Sequence, residues 1–292
     1  LQQVLNNEYL QIEVNSRGAE LMGVIDKSDG YQYLWQGDPL YWKNRAPVLF
    51  PIIGNLTGGK YHFEGREYAM QRHGFASMMD FDLAKIGENA IIFALSQDEF
   101  TLSQYPFEFR LSVTYILSER TLTTTFQVEN TGKQMLWFSI GGHPGLNCGL
   151  NAEGRKDCRL IFEKAEKVNR LVNELGYLTG REEPFLQDQR SVDIASLNFD
   201  GKTKVYVLKD LRSESLTLAD SGNGKSVRFG FAGFPYLGIW SPANQAPFLC
   251  IEPWYGITGT AGVIDELNHK RGILAVQAGD FFRCSYDITF GL

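Results

Sequence analysis

Residues 107–130 read FEFRLSVTYILSERTLTTTFQVEN. Phe107, Phe109, Leu111, Val113, Tyr115 and Leu117 alternate with Glu108, Arg110, Ser112 and Thr114, and only Ile116 breaks the pattern. A period of two belongs to an extended chain with one buried face. After Ser118-Glu119-Arg120 the alternation resumes with Leu122, Thr124, Phe126 and Val128 on one face, which predicts a long antiparallel hairpin.

The same grammar recurs along the chain. YLQIEV, KYHFEGREYAM with a turn at Glu64-Gly65, AIIFALS, RLIFEKA, KVYVLKDL, ESLTLADSGNGKSVRFGF, YLGIWSP, FLCIEPW and FRCSYDITF all read as strands. Helix signals are confined to GVIDELNHK (262–270) and SVDIASLNF, whose Ser191 would cap it. Many strands with little helix predict an all-β fold, a large antiparallel β-sandwich or barrel. No Pro- or Gly/Ser-rich linker and no internal repeat divides residues 1–292, so one domain is expected.

A net charge of −6, with both signs mixed along the chain, leaves no basic stripe and argues against a nucleic-acid partner. The first residues alternate like a strand and lack a basic segment followed by an apolar one. No apolar run approaches the roughly 18 residues of a membrane helix. A soluble, cytoplasmic protein without membrane association is expected. Cys148, Cys158, Cys250 and Cys284 form no C-x-x-C pair, which speaks against a disulfide scaffold or a structural zinc site.

Of four histidines, His62 falls in a hairpin strand and His269 near the end of a helix signal, both explained by surface placement. His73 in QRHGFAS and His143 in GGHPGLN each adjoin a glycine, where the backbone can turn sharply. Glu252 follows the apolar run FLCI and precedes Pro-Trp-Tyr, a costly place for an unpaired carboxylate. It is either a salt-bridge partner of Arg45 or Arg72, or a general base in an aromatic-walled pocket. No H-x-H, H-x3-H or H-E-x-x-H spacing supports a metal, and no metal is expected. No G-x-S-x-G elbow is present, and Cys250 reads as a buried, inert thiol. GNLTGGK (54–60) is a turn before a strand rather than a phosphate loop. Tryptophans at 35, 42, 137, 240 and 254 beside a few polar groups suit a sugar, whose C–H faces stack while its hydroxyls hydrogen-bond, although Trp137 reads as core.

Taken in order, NRAPVLFPIIG, QRHGFAS, GGHPGLN and YLGIWSP…APFLCIEPWYG resemble the aldose 1-epimerase (galactose mutarotase) family, in its mutarotase-like branch with a C-I-E-P-W motif. The resemblance runs from about residue 4 to the C-terminus. It implies the family's large sandwich, the galactose mutarotase-like supersandwich, with a sugar cleft on a concave sheet. It implies interconversion of the α and β anomers of a free aldose without a cofactor. By motif, Glu252 would be the general base at the C1 hydroxyl, His143 the general acid at the ring oxygen, and His73 and Trp254 substrate-binding residues. Asn55 stands where relatives carry an arginine, with Arg45 as the substitute, and Thr203 and Lys204 stand where relatives carry an aspartate. The acid–base pair is thus better defined than the sugar. A hexose-6-phosphate 1-epimerase and a non-catalytic carbohydrate-binding or sensing protein are the alternatives.

Overall fold

A computed structural model describes residues 1–149, 154–199, 201, 205–243 and 245–291. The opening hairpin is present as the strands Phe109–Ser118 and Thr121–Asn130, paired from Thr121 with Ser118 to Asn130 with Phe109. Phe109, Leu111, Val113, Tyr115 and Leu117 are buried, as are Leu122, Thr124, Phe126 and Val128 opposite them. The hairpin belongs to an antiparallel sheet of 15 strands, which also contains Phe281–Phe290, Cys158–Glu174, Tyr236–Trp240, Phe248–Tyr255 and Ile140–Gly142.

The sheet folds back on itself. Its Ile140–Gly142 end faces the strand Phe281–Phe290, so that the Tyr286 ring lies against Gly142. Aromatic pairs fill the space between the halves, including Phe50–Phe109 at 5.0 Å and Tyr255–Phe282 at 4.9 Å between centroids. Offset and edge contacts of this kind suit the aromatic quadrupole. The result is an all-β sandwich. A separate three-stranded sheet (Gln2–Asn6, Leu10–Asn15, Glu20–Asp26) packs on the same core through Leu10, Ile12 and Val14. No helix among the described residues is long and apolar enough to cross a membrane.

Both expected helices are absent. Residues 262–270 hold only the 3-10 turn Leu267–His269, because Gly262 takes φ 77° and Val263 and Ile264 face outward without an apolar partner. Ser191 caps nothing: it pairs with Ile161 near the end of the strand Tyr177–Asp193, and a 3-10 turn Ile194–Ser196 follows. The α-helix Glu99–Gln104 starts instead at a capping box, with Asp98 accepting from the Thr101 amide and Thr101 Oγ1 from the Asp98 amide.

Candidate active site

One strand supplies the carboxylate. Along Phe248–Tyr255, Phe248, Cys250, Glu252 and Trp254 share a face, while both faces are covered, so the row is buried throughout. Two short strands, Ile140–Gly142 and Gly145–Asn147, pair with this same neighbour, and His143 sits in the gap between them. Pro144 has no N–H to donate there, and its carbonyl accepts from Ile251 N at 3.3 Å. His143 is thereby held over the glutamate, its Nε2 3.2 Å from Glu252 Oε2.

The glycines framing the histidine seat aromatic rings. A Cβ on Gly141 would lie 2.7 Å from Trp254 Cδ1, and one on Gly142 2.9 Å from the Tyr286 ring. Gly238, opposite Glu252 in the neighbouring strand, would meet Trp254 at 2.6 Å. The Trp254 indole therefore spans two glycine positions and walls the glutamate, a reason the sequence spacing did not disclose.

Burial sets the electrostatics. Glu252 is 1 % and His143 4 % exposed. Desolvation raises the Glu252 carboxyl well above its usual value, opposed by the positive charge of Arg72. Trp254 Nε1 also favours the carboxylate, although it stops short of a hydrogen bond of normal geometry. Desolvation, reinforced by Arg72, pushes His143 down to about 3. Each group alone prefers its neutral form, so the pair holds one proton between its members. A 3.2 Å gap allows that proton to cross, and the contact is not yet aligned as a hydrogen bond. Two groups sharing a single proton can give one to a ligand atom and take one from another.

Three aromatic rings surround His143. Trp42 stacks on it at 4.8 Å, Trp240 meets it edge-on at 5.5 Å, and His73 does so at 5.6 Å. His73 stands at φ 65° beside Gly74, which lies too close to the Phe50 carbonyl to carry a side chain. Gly54 N–H donates to His73 Nδ1 at 3.1 Å, and Arg72 Nε–H points at Nε2 at 3.0 Å. A neutral imidazole keeps one N–H of its own, so both contacts cannot hold in full at once, and His73 is open to a new partner. Burial, helped by Arg72 and His143, lowers its pKa well below the ordinary value.

Two cavities meet at this cluster. An inner recess of about 380 Å³ is lined by Asn55, Asn173, Gly176, Glu252, Trp254 and Thr258, and an outer chamber of about 680 Å³ by Trp42, Asn44, Pro47, Leu49 and Ser77. Arg72, His73, His143 and Trp240 line both.

Most of the residues singled out in the sequence converge here: Glu252, His143, His73, Asn55 and Trp254. Arg45 does not. Its backbone amide donates to Glu20 at 2.8 Å and its guanidinium packs by Gly37, away from both cavities. Arg72 is the arginine that reaches the site, and neither arginine forms an ion pair with Glu252 among the described residues. Asn55 donates through Nδ2 to Gly176 O at 3.3 Å and through its amide to Thr258 Oγ1 at 2.9 Å, so it also ties a hairpin tip to the site. Thr203 and Lys204 lie outside the described residues. Trp42 and Trp240, two of the tryptophans the sequence marks as suited to a sugar, line the cavities, whereas Asn44 and Asn173 were not foreseen as site residues and carried no sequence signal.

Among the described residues one potential metal-ligating group is also present: His143, Cys250 and Glu252 bring one ligand atom each to within 4.8 Å of one another. Burial and the Glu252 charge raise the Cys250 thiol well above its usual value. A cation would therefore have to displace protons that this environment holds tightly, from the His143–Glu252 pair itself.

Comparison with known proteins places the chain in a family. The chain is 37 % identical over 297 residues to the chromosomal protein LacX of Lactococcus lactis subsp. lactis, covering 98 % of each chain. Its structure matches a galactose mutarotase related enzyme from Lactobacillus acidophilus with TM-score 0.94 at 26 % identity, covering 100 % of this chain and 98 % of that one. It matches a galactose mutarotase-like protein from Lactobacillus casei with TM-score 0.92 at 30 % identity, covering 99 % and 100 %. The aldose 1-epimerase family model fits residues 2–269. Matched by the family model over nearly its whole length and by a relative 37 % identical across 98 % of each chain, this chain belongs to the aldose 1-epimerase family.

Proposed function

We propose that this protein is an aldose 1-epimerase, a mutarotase interconverting the anomers of a free aldose. The observation that carries the reading is the 3.2 Å contact between His143 Nε2 and Glu252 Oε2, buried where two cavities meet. Glu252 takes the proton from the C1 hydroxyl while His143 gives one to the ring oxygen. The bond between C1 and the ring oxygen breaks, leaving an open-chain aldehyde. After rotation about C1–C2 the ring oxygen re-adds to the other face of C1, with both proton transfers reversed. The sequence is redox-neutral and conserves the single proton of the pair, so no cofactor is called for. Entry of sugar hydroxyls beside the pair supplies the polar contacts that stabilise its carboxylate–imidazolium form. Trp42, Trp240 and Trp254 offer faces for the C–H surface of the ring, and His73 a donor for a ring substituent.

Polarimetry of freshly dissolved α-D-glucose and α-D-galactose tests this reading. Wild type is expected to accelerate the approach to equilibrium, and Glu252→Gln to lose roughly 10²-fold or more. Binding of a sugar without acceleration would instead support a non-catalytic sugar-binding role.

A phosphorylated aldose is a second reading favoured by one observation. Arg72 lines three neighbouring cavities and has no ion-pair partner among the described residues. A guanidinium so placed suits an anionic substituent. Glucose 6-phosphate turning over faster than glucose, with the advantage lost in Arg72→Gln, would favour it.

A further inference from the structure

Asn173 is 2 % exposed and lines the inner recess, yet neither its Oδ1 nor its Nδ2 has a hydrogen-bond partner among the described residues. Buried amides are almost always paired, because an unpaired one forfeits its water contacts without replacement. Asparagine cannot escape that cost by changing protonation. The local backbone puts it there. In the hairpin of Cys158–Glu174 and Tyr177–Asp193 the register shifts between Leu171 and Asn173, and Leu171, Val172 and Asn173 are all buried in succession. A register irregularity beside a functional site commonly re-aims a side chain.

The hairpin tip is fixed at its other end. Gly176 O accepts from Thr258 Oγ1 at 2.7 Å and from Asn55 Nδ2 at 3.3 Å, and Leu178 exchanges backbone bonds with Gly259 and Ala261. Asn173 is thus held rigidly over the recess with its amide unspent. Trp254 Nε1, Glu252 Oε2 and His143 Nδ1, on the wall of the same recess, are also buried without hydrogen-bond partners among the described residues. Four side chains with unspent polar atoms around one cavity mark a site completed by a polyhydroxylated ligand.

We propose that Asn173 is the specificity-determining residue of the inner recess, reading two adjacent hydroxyls of the aldose by donating to one and accepting from the other. The inference rests on the aldose reading above. A carboxamide presents donor and acceptor side by side, the complement of a vicinal diol, whereas an aspartate only accepts. An analogue lacking either hydroxyl leaves the amide half unpaired and is rejected.

The test uses Asn173→Leu and Asn173→Ala with D-glucose, D-galactose and their 2-, 3- and 4-deoxy derivatives. Anomerisation gives kcat and KM, indole fluorescence gives binding, and a thermal melt gives stability. The wild type is expected to discriminate against the deoxy sugars that lack the hydroxyls read. Both variants lose roughly 10- to 100-fold in kcat/KM on the parent sugar, chiefly through KM, and lose that discrimination. Their melting temperatures stay level or rise, since no hydrogen bond is removed. Unchanged KM with the deoxy pattern intact would overturn the proposal. So would an equal loss on every sugar accompanied by a lower melting temperature, the mark of a structural role. If wild type binds an aldose without turning it over, the catalytic reading fails and the same comparison of binding constants still decides the role of Asn173. If no aldose binds, both fall.

Discussion

Replacing Glu252 by glutamine should change how stability depends on pH in a way that follows from burial alone. In the unfolded chain this carboxyl titrates near 4.5 and His143 near 6.5. In the native protein Glu252 is raised and His143 lowered to about 3. A raised native pKa means stability from that group is full below 4.5 and is lost as pH rises towards its native titration. A lowered one means stability is lost as pH falls from 6.5. The two slopes oppose each other between 4.5 and 6.5, where native and unfolded pairs each hold one proton, so the pair's own contribution is flat there. Glutamine mimics the protonated acid at every pH and removes only the first slope. The folding constant of Glu252→Gln relative to wild type should therefore rise about tenfold per pH unit from pH 4.5 until Glu252 titrates in the native state. Urea unfolding at half-unit steps from pH 5 to pH 8 reads this directly. Parallel curves for the two proteins would mean that Glu252 is ionised in the native cleft, and the one-proton pair would be refuted.

Other expectations follow from the seating of the site. Gly238→Ala puts a methyl 2.6 Å from the Trp254 ring and should cost about 1–3 kcal/mol by thermal melt, with a change in indole fluorescence as the ring is displaced. Thr258→Val removes the hydroxyl that accepts from Asn55 N and donates to Gly176 O. It should cost about 1–3 kcal/mol and speed amide exchange at Leu178 and Ala261, leaving the strand Phe109–Ser118 protected. The rate of anomerisation in wild type should show no inflection near pH 6.5, the ordinary histidine value, because His143 is lowered to about 3; an inflection there that vanishes in His143→Asn would contradict its neutral burial.

What the sequence discloses depends on how local the cause is. The hairpin 107–130 is legible because one face is buried along its whole length. The hairpin of Cys158–Glu174 and Tyr177–Asp193 is legible only over its first residues, since its outer face is charged and its register shifts four times. Asn173 is hidden for the same reason. Arg45 and Arg72 look equivalent as sequence, and only the turn geometry sends one to Gly37 and the other into the cleft. GGHPGLN marks His143 correctly as a framed group, but Gly141 and Gly142 make room for Trp254 and Tyr286 rather than for a ligand. Glu252 is the most readable of all, because a carboxylate in an apolar strand requires a reason.

The most direct test is saturation transfer between the anomeric protons of an aldose at equilibrium, where no net reaction occurs and only exchange is seen. Irradiating the α proton of glucose or galactose should diminish the β signal in proportion to the amount of wild-type protein. The transfer should fall by roughly 10²-fold or more with Glu252→Gln and with His143→Asn. Transfer equal to that in buffer alone for every aldose offered, or transfer unaffected by either substitution, would contradict the account.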